Sequence, residues 1–437
     1  MSAPVVVVLA GGASNRFWPL EDKPFFPFAG TCLLERHLRM LRDLGCERLI
    51  VVARPELEER VREIGGTLGL ADLRTVAQDE AAGMADAVLR AVRTLATEAD
   101  TPLYVTQAQD VVSAGLHAEM LRAAARADAF ATIAAGRVRD YFPGGYLSLE
   151  GGRITSIVEK PGPGNEPGDL VNIVAHVFAG WRSLAAALEA ESKRPGPDDI
   201  LPFGSAQGKL AQDDVYERAL ASLMKEHVFR PAVYEGRWQP LKFPWHVLDV
   251  MGFLLAEWAS QEQPLPEGYD LREDGVIMGR DVRIFPGSHV VAPALIGHGA
   301  VIGHNALVRG SMVGRAAVVG FGSEVARSYL GDGVELHHNY AGDSVMADHS
   351  SMGFGATTAN YRLDGRTVPS MAAGQKLDTG RGKFGAVLGA GVKVGVNTSL
   401  MPGIKIGAGA IIGPNLRINR DVPAGERVLY DDEYGRL

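Results

Sequence analysis

In the C-terminal part of the chain, aliphatic residues return every six positions at Ile284, Val290, Ile296, Ile302 and Val308. With small slips they continue at Val313, Val319 and Val325, and the period resumes at Leu388, Val394, Leu400, Ile406, Ile412 and Ile418. Glycine follows many of them, as in Ile296-Gly297, Ile302-Gly303, Val319-Gly320 and Ile406-Gly407. A helix repeats every ~3.6 residues and a half-buried strand every two, so neither element carries this pattern. A period of six belongs to a parallel β-helix. Three short strands make one triangular coil, each sends one aliphatic residue inward, and small residues allow the tight corners. Chance explains one hexad but not five in register followed by six more. Between Asn360 and Phe384 the register fails, and this stretch is expected to loop out of the solenoid, where interruptions often form a binding face.

The preceding residues have a different texture. Short apolar runs, VVVVLA from Val5, RLIVVA from Arg48 and LYVTQAQD from Leu103, alternate with helical patterns, LLERHLRMLRDLG from Leu33 and ADAVLRAVRTLA from Ala85. That alternation predicts a mostly parallel, Rossmann-like α/β sheet, with ligands at the carboxyl ends of its strands. LVNIVAHVFAG from Leu170 and DDVYERALASLMKEH from Asp213 extend the pattern, and an amphipathic segment from Trp245 to Ser260 reads as a closing helix. The polar stretch QEQPLPEG, Gln261 to Gly268, reads as a linker. We therefore expect an α/β domain over residues 1–262 and an all-β domain over 263–437.

Composition narrows the function classes. The 437 residues carry a net charge of −8, with 46% hydrophobic and 22% charged residues. No basic excess is available for a nucleic-acid backbone. Two cysteines, Cys32 and Cys46, form neither a disulfide framework nor a zinc motif. No apolar run reaches the ~18 residues of a membrane span, so a cytoplasmic protein is expected.

The strongest local signal is LAGGASNRFWPLEDKPFFPFAG, Leu9 to Gly30, directly after the first apolar run. A glycine-bearing loop at a strand end offers backbone N–H groups to a phosphate, and Arg16 and Lys23 add charge that would offset charge developing at phosphorus. A loop that merely turns the chain, with both cations solvated, is the competing reading of these residues alone. The segment resembles the signature of the sugar-phosphate nucleotidyltransferases, LAGGxGTRxxPL followed by KxLLPVxGKPLL. Leu9, Ala10, Gly11, Gly12, Arg16, Pro19, Leu20, Lys23, Pro27, Gly30, Leu33 and Leu34 match. Ser14-Asn15 replaces the family's GT, and Thr31-Cys32 its KP.

The resemblance implies roles further along. Leu9, Gly11 and Gly12 would line the nucleotide, and QDEAAGMADAV, Gln78 to Val88, resembles the family's base loop, with contacts from Gln78 and Gly83. Asp110, ending LYVTQAQD, falls where the family has a carboxylate for Mg²⁺; on spacing alone a helix N-cap competes. VEKP, Val158 to Pro161, matches an element whose Glu meets the sugar and whose Lys meets the sugar phosphate, here Glu159 and Lys160, with Asn172 a further sugar contact. FPWHVLD resembles the segment bearing a second metal carboxylate, which falls on Asp249.

The β-helix half is similar to the acetyl-transfer segment of bacterial and archaeal bifunctional sugar-1-phosphate nucleotidyltransferase/acetyltransferases. LHHNYAGD and the following residues to Arg362 place a general base on His337, the sugar phosphate at Tyr340 and the acceptor at Asn360. Lys383 opens GKFGAVLGAGVKVG, which matches the archaeal type. The family's loop lysines are absent from VPSMAAGQ, Val368 to Gln375, and its EVK is EVA, Glu324 to Ala326, with Arg327 next to it.

The resemblance thus implies a left-handed form of the β-helix and transfer of a nucleotidyl group from an NTP to a sugar 1-phosphate with Mg²⁺. A second, acetyl-CoA-dependent acetylation of an amino-sugar phosphate is implied as well, and a homotrimer or a multiple of one. Two alternatives stand beside it. RFWPL, Arg16 to Leu20, is the variant of mannose-1-phosphate guanylyltransferases, and Ser14-Asn15 with the absent lysines suits a regulatory homologue that binds sugar nucleotides without turnover.

Overall fold

The computed structural model describes residues 3–12, 14–79, 82–126, 128–194 and 215–429. Ala13 in the signature, Glu80 and Ala81 in the base-loop motif, and Asp213 and Asp214 at the start of a helical pattern lie outside them. Two compact units emerge, Met1–Ala13 with Leu34–Trp238, and Ser14–Leu33 with Gln239–Leu437. Among the described residues, no helix is long and apolar enough to cross a membrane. Both cysteines are buried, and neither forms a disulfide.

The first unit is built on a nine-stranded sheet. Strands Leu103–Gln107, Val5–Leu9, Arg48–Ala53 and Asp72–Ala77 lie side by side and parallel. The first three are apolar runs, as strands covered on both faces must be, while Asp72–Ala77, DLRTVA, is a half-buried edge strand. Helices Gly83–Arg93 and Trp181–Ser192 bury Val88, Val92, Leu184 and Leu188 in the same core. The expectation of a mostly parallel sheet holds for this half; the rest is mixed, with Phe229–Tyr234 parallel to Ala131–Arg137. Leu170–Phe178 runs antiparallel to Leu103–Gln107, Ala131–Arg137 and Gly145–Glu150, and Arg153–Glu159 closes a hairpin on the last of these. The hairpin turn at Gly151 and Gly152, both at positive φ, makes that reversal.

The second unit contains three sheets of eight, eight and seven strands among the described residues, apart from short two-stranded pairs. Successive coils stack in parallel, for instance Ala294–Ile296 on Met312–Val313 on Tyr329–Leu330. The periodic aliphatic residues from Ile296 to Ile418 are buried and form one core. Ile284 is an exception, left exposed in the first coil because no coil precedes it to cover that end. Glycine after the inward residue is a packing requirement: a Cβ on Gly297 would stand 2.5 Å from the Gly314 carbonyl carbon in the next coil. Residues 360–384 do leave the solenoid. Val345–Met346 pairs directly with Val387–Leu388, while Pro369–Ala372 and Gln375–Asp378 form a hairpin outside the coil.

Candidate functional site

In the first unit, the strand order brings four separate segments to one edge. Leu9 pairs with Gln107, and Ala10 N–H donates to Val52 O at 2.8 Å, so the glycines that follow leave the sheet at its carboxyl end. Gln78 is buried beneath them, and a Cβ on Gly11 would lie 2.8 Å from its Oε1. Its Nε2 donates to Gly83 O and to Asp86 Oδ2, both at 3.0 Å. Gly83 itself opens a helix at positive φ. Leu9, Gly11, Gln78 and Gly83 are thus assembled as one cradle, while Gly12 is exposed with open space where a side chain would be.

Asp110 begins the short strand Asp110–Val112, and the N-cap of the helix beyond is Ser113. The competing N-cap role for Asp110 therefore fails. Its carboxylate is buried and accepts a hydrogen bond from Gln107 Nε2 at 2.7 Å. A single carboxylate suits an ion that arrives with phosphate oxygens and water, as Mg²⁺ does. No cluster of three or more His, Cys, Asp or Glu able to hold a metal occurs among the described residues. Asp249 lies in the second unit, on the helix His246–Ala259, and is ion-paired to Arg381. To serve a metal it would have to give up that guanidinium.

The hairpin and the antiparallel strand form a second group. Lys160 Nζ sits 2.7 Å from Glu159 Oε1, and Lys160 adopts positive φ at the hairpin end. Across from them, Gly145 leaves a gap: a Cβ there would lie 3.2 Å from Glu159 Oε2 and 3.7 Å from the Asn172 Cβ. Glu159 and Asn172 thus face each other over a glycine that sequence reasoning missed. The signal was the Gly144-Gly145 pair, which is indistinguishable in sequence from an ordinary turn.

In the second unit, the loop carrying Arg16 and Lys23 packs on the solenoid. Tyr329 O–H donates to Pro27 O at 2.8 Å, its ring lies 5.2 Å from that of Phe26, and Lys405 Nζ stands 4.7 Å from the centre of the Trp18 ring. Lys23 is pushed down to about 8 by burial first and then by the charges of Arg16 and Lys242. Among the described residues no carboxylate pairs with Arg16 or Lys23.

The residues expected to act on an amino sugar are partly assembled. Asn360 Nδ2 donates to the Tyr340 hydroxyl at 3.0 Å and to Asp343. Asp343, buried, accepts two hydrogen bonds from Arg327 at 2.7 Å each. Arg327 and Asp343 complete a four-residue cluster whose sequence signal was the Gly-Asp pair after Tyr340. His337 is exposed beside it, with its backbone N–H bonded to Asn339 Oδ1. Lys383 is exposed, and its backbone bridges to Tyr361. Ala373 stands on the exposed turn of the outlying hairpin.

Comparison with known proteins gives these groupings a context. A 27% identical relative, the bifunctional sugar-1-phosphate nucleotidylyltransferase/acetyltransferase of Sulfurisphaera tokodaii, aligns over 96% of this chain and 98% of its own. The bifunctional protein GlmU of Methanococcus vannielii is 25% identical over 98% of both chains, and that of Bacillus mycoides 27% identical over 42% of this chain and 36% of its own. Residues 385–420 match the bacterial transferase hexapeptide family of six repeats. Residues 6–263, more than half the chain, match the MobA-like NTP transferase domain, and this protein belongs to that family.

Proposed function

We propose that the protein transfers a nucleotidyl group from an NTP to a sugar 1-phosphate, releasing pyrophosphate. The observation that carries this reading is Lys23, largely desolvated and crowded by the charges of the exposed Arg16 and of Lys242, with no carboxylate partner among the described residues. Uncompensated positive charge is costly unless an anion completes it, and a triphosphate does so. An oxygen of the sugar phosphate attacks the α-phosphorus in line, and the bond to the pyrophosphate oxygen breaks. No covalent enzyme intermediate is needed, so positioning and charge neutralisation carry the rate. The cradle of Leu9, Gly11, Gly12, Gln78 and Gly83 holds the nucleoside. Glu159 and Asn172 orient the sugar, and Lys160 meets its phosphate. Asp110 would hold Mg²⁺, which lends further positive charge to the phosphates.

A second reading concerns the β-helix. The Tyr340–Asn360–Asp343–Arg327 cluster beside an exposed His337 supports acetyl-CoA-dependent acetylation of an amino-sugar phosphate, with neutral His337 accepting the ammonium proton. The bifunctional relative from Sulfurisphaera tokodaii is named for both activities. We place the boundary between catalytic regions at residues 262 and 263, and the site of action in the cytoplasm, where cysteines persist as thiols. The exposed ladder of Phe321, His338 and Phe354, with stacked rings, supports self-association into a trimer or a multiple of one.

Pyrophosphate release measured across the four common NTPs and a set of hexose 1-phosphates tests the first reading. Turnover with GTP and mannose 1-phosphate alone would select the guanylyltransferase alternative. Tight binding without turnover for any pair would select the regulatory one.

A further inference from the structure

Asn172 belongs to the strand Leu170–Phe178, and the strand is irregular at this point. Between Asn172 and His176 it advances four residues while its partner advances two, from Ala135 to Ile133. In a regular strand, side chains four residues apart stand about 13 Å from each other. The bulge brings them together, so that His176 Nε2 lies 2.6 Å from Asn172 Oδ1. On the other side of the ring, His176 Nδ1 lies 2.8 Å from the hydroxyl of Tyr216, on the helix Val215–Met224. His176 and Tyr216 are both buried and their rings stack at 5.7 Å.

Burial holds His176 neutral, pushed down to about 3 against the smaller opposing effect of a hydrogen bond to the Ile173 backbone. A neutral imidazole has one donor and one acceptor nitrogen. If Nδ1 carried the proton, the Tyr216 hydroxyl would accept it, and its own buried hydrogen would need another acceptor. If Nε2 carries the proton, every group is used: Tyr216 O–H donates to Nδ1, and Nε2–H donates to Asn172 Oδ1. The carbonyl end of the Asn172 amide is then occupied from behind.

We propose that Tyr216 and His176 are positioning residues that turn Asn172 so that it presents its NH₂ group, and only a donor, to the sugar. Glu159 across Gly145 offers acceptors alone, because an ionised carboxylate has no proton to give. The pocket therefore reads two sugar substituents of opposite sense: a hydroxyl that can donate to Glu159, and an acceptor oxygen facing Asn172. An ammonium facing Asn172 would be refused, since it has no lone pair to accept with.

This proposal rests on reading Glu159 and Asn172 as sugar contacts, and the experiments separate the two. In ¹⁵N-detected spectra of the full chain, His176, assigned by the loss of its signals in His176→Gln, should show the Nε2–H tautomer. Tyr216→Phe should release it towards a mixture. In the same variant the KM for the sugar 1-phosphate should rise about tenfold, while the KM for the NTP stays within about twofold, as for a single lost orienting hydrogen bond. Asn172→Asp, which puts an acceptor in place of the donor, should raise the sugar KM further still. An Nδ1–H tautomer in the wild type overturns the relay, as does an unchanged sugar KM in Tyr216→Phe when Asn172→Asp raises it. An unchanged sugar KM in Asn172→Asp overturns the sugar reading of this pocket and the selectivity with it.

Discussion

Two sets of cations in the second unit are treated in opposite ways. Along the solenoid, Arg309 is paired with Glu324, Arg315 with Asp332, Arg327 with Asp343, Arg381 with Asp249 and Lys405 with Asp421. In the signature loop, Arg16 and Lys23 have no such partner among the described residues, and Lys242 adds to the repulsion on Lys23. A cation paired within the solenoid contributes to the fold, its charge offset by the facing carboxylate, whereas Lys160, paired with its chain neighbour Glu159, takes its proposed phosphate role only by exchanging that partner for the ligand. Lys23, desolvated and repelled by Arg16 and Lys242, is an incomplete arrangement that an anion would finish. The difference supports our proposal of phosphate recognition in the loop, and it predicts that Arg327, neutralised by Asp343, substitutes weakly for the absent lysines of residues 368–375.

The largest effect expected from testing this contrast is at Asp110, the one anionic group assigned to the phosphate chemistry. Asp110→Asn should slow pyrophosphate release by about 10³-fold, since removing a ligand to a catalytic ion costs several kcal/mol. A rate within a few-fold of wild type would remove Asp110 from the metal assignment. Next in size, Lys23→Ala loses a charge-assisted contact of ~1.5–3 kcal/mol, about ten- to a hundredfold in kcat/KM. The matched change on the paired side, Arg315→Ala, should leave that rate nearly unaltered, and equal losses in both variants would erase the contrast.

The acetylation side supplies a gain-of-function test. Because its arginines are neutralised, a new unpaired cation at the exposed turn, Ala373→Lys, should lower the KM for glucosamine 1-phosphate by about tenfold. His337→Ala should abolish whatever acetylation the wild type shows. No improvement from the lysine would mean that Arg327 serves the phosphate despite Asp343. Smaller and graded is the pH dependence. The ammonium of Lys23 is the form that meets phosphate, and its pKa is lowered to about 8. The KM for NTP should therefore be flat below pH 8 and rise as pH passes through it, and in Lys23→Arg the rise should vanish. The smallest effect concerns the support of the loop. Tyr329→Phe removes the hydrogen bond to Pro27 O, worth about 1 kcal/mol, and should speed hydrogen exchange in residues 14–33. Unchanged exchange would show that ring packing on Phe26 alone holds it.

Much of this was legible in the chain. The six-residue period foretold the solenoid, its core and the outlying stretch at residues 360–384, because every coil imposes the same demand on the same position. The apolar runs at Val5, Arg48 and Leu103 foretold three parallel strands, and the glycine-rich turn after Leu9 does leave the sheet at a strand's carboxyl end. The antiparallel strand at Leu170 was not legible, since an apolar run reads alike in either direction. Nor were the partners of Asp249, Arg327 and Asn172, each of which depends on a residue far away in sequence or on a bulge that no local pattern announces.

What the sequence by itself determined, then, was periodicity and local chemistry: which segments are strands or coils, where glycine must stand, and which residue types are available for phosphate and sugar. The tertiary structure decided which of those charges are spent. Asp343 neutralises Arg327 and Asp249 engages Arg381, while Arg16 and Lys23 have no carboxylate partner among the described residues. Pairing depends on distances between segments brought together by the fold, and electrostatic energy falls off too steeply in water for any sequence spacing to settle it.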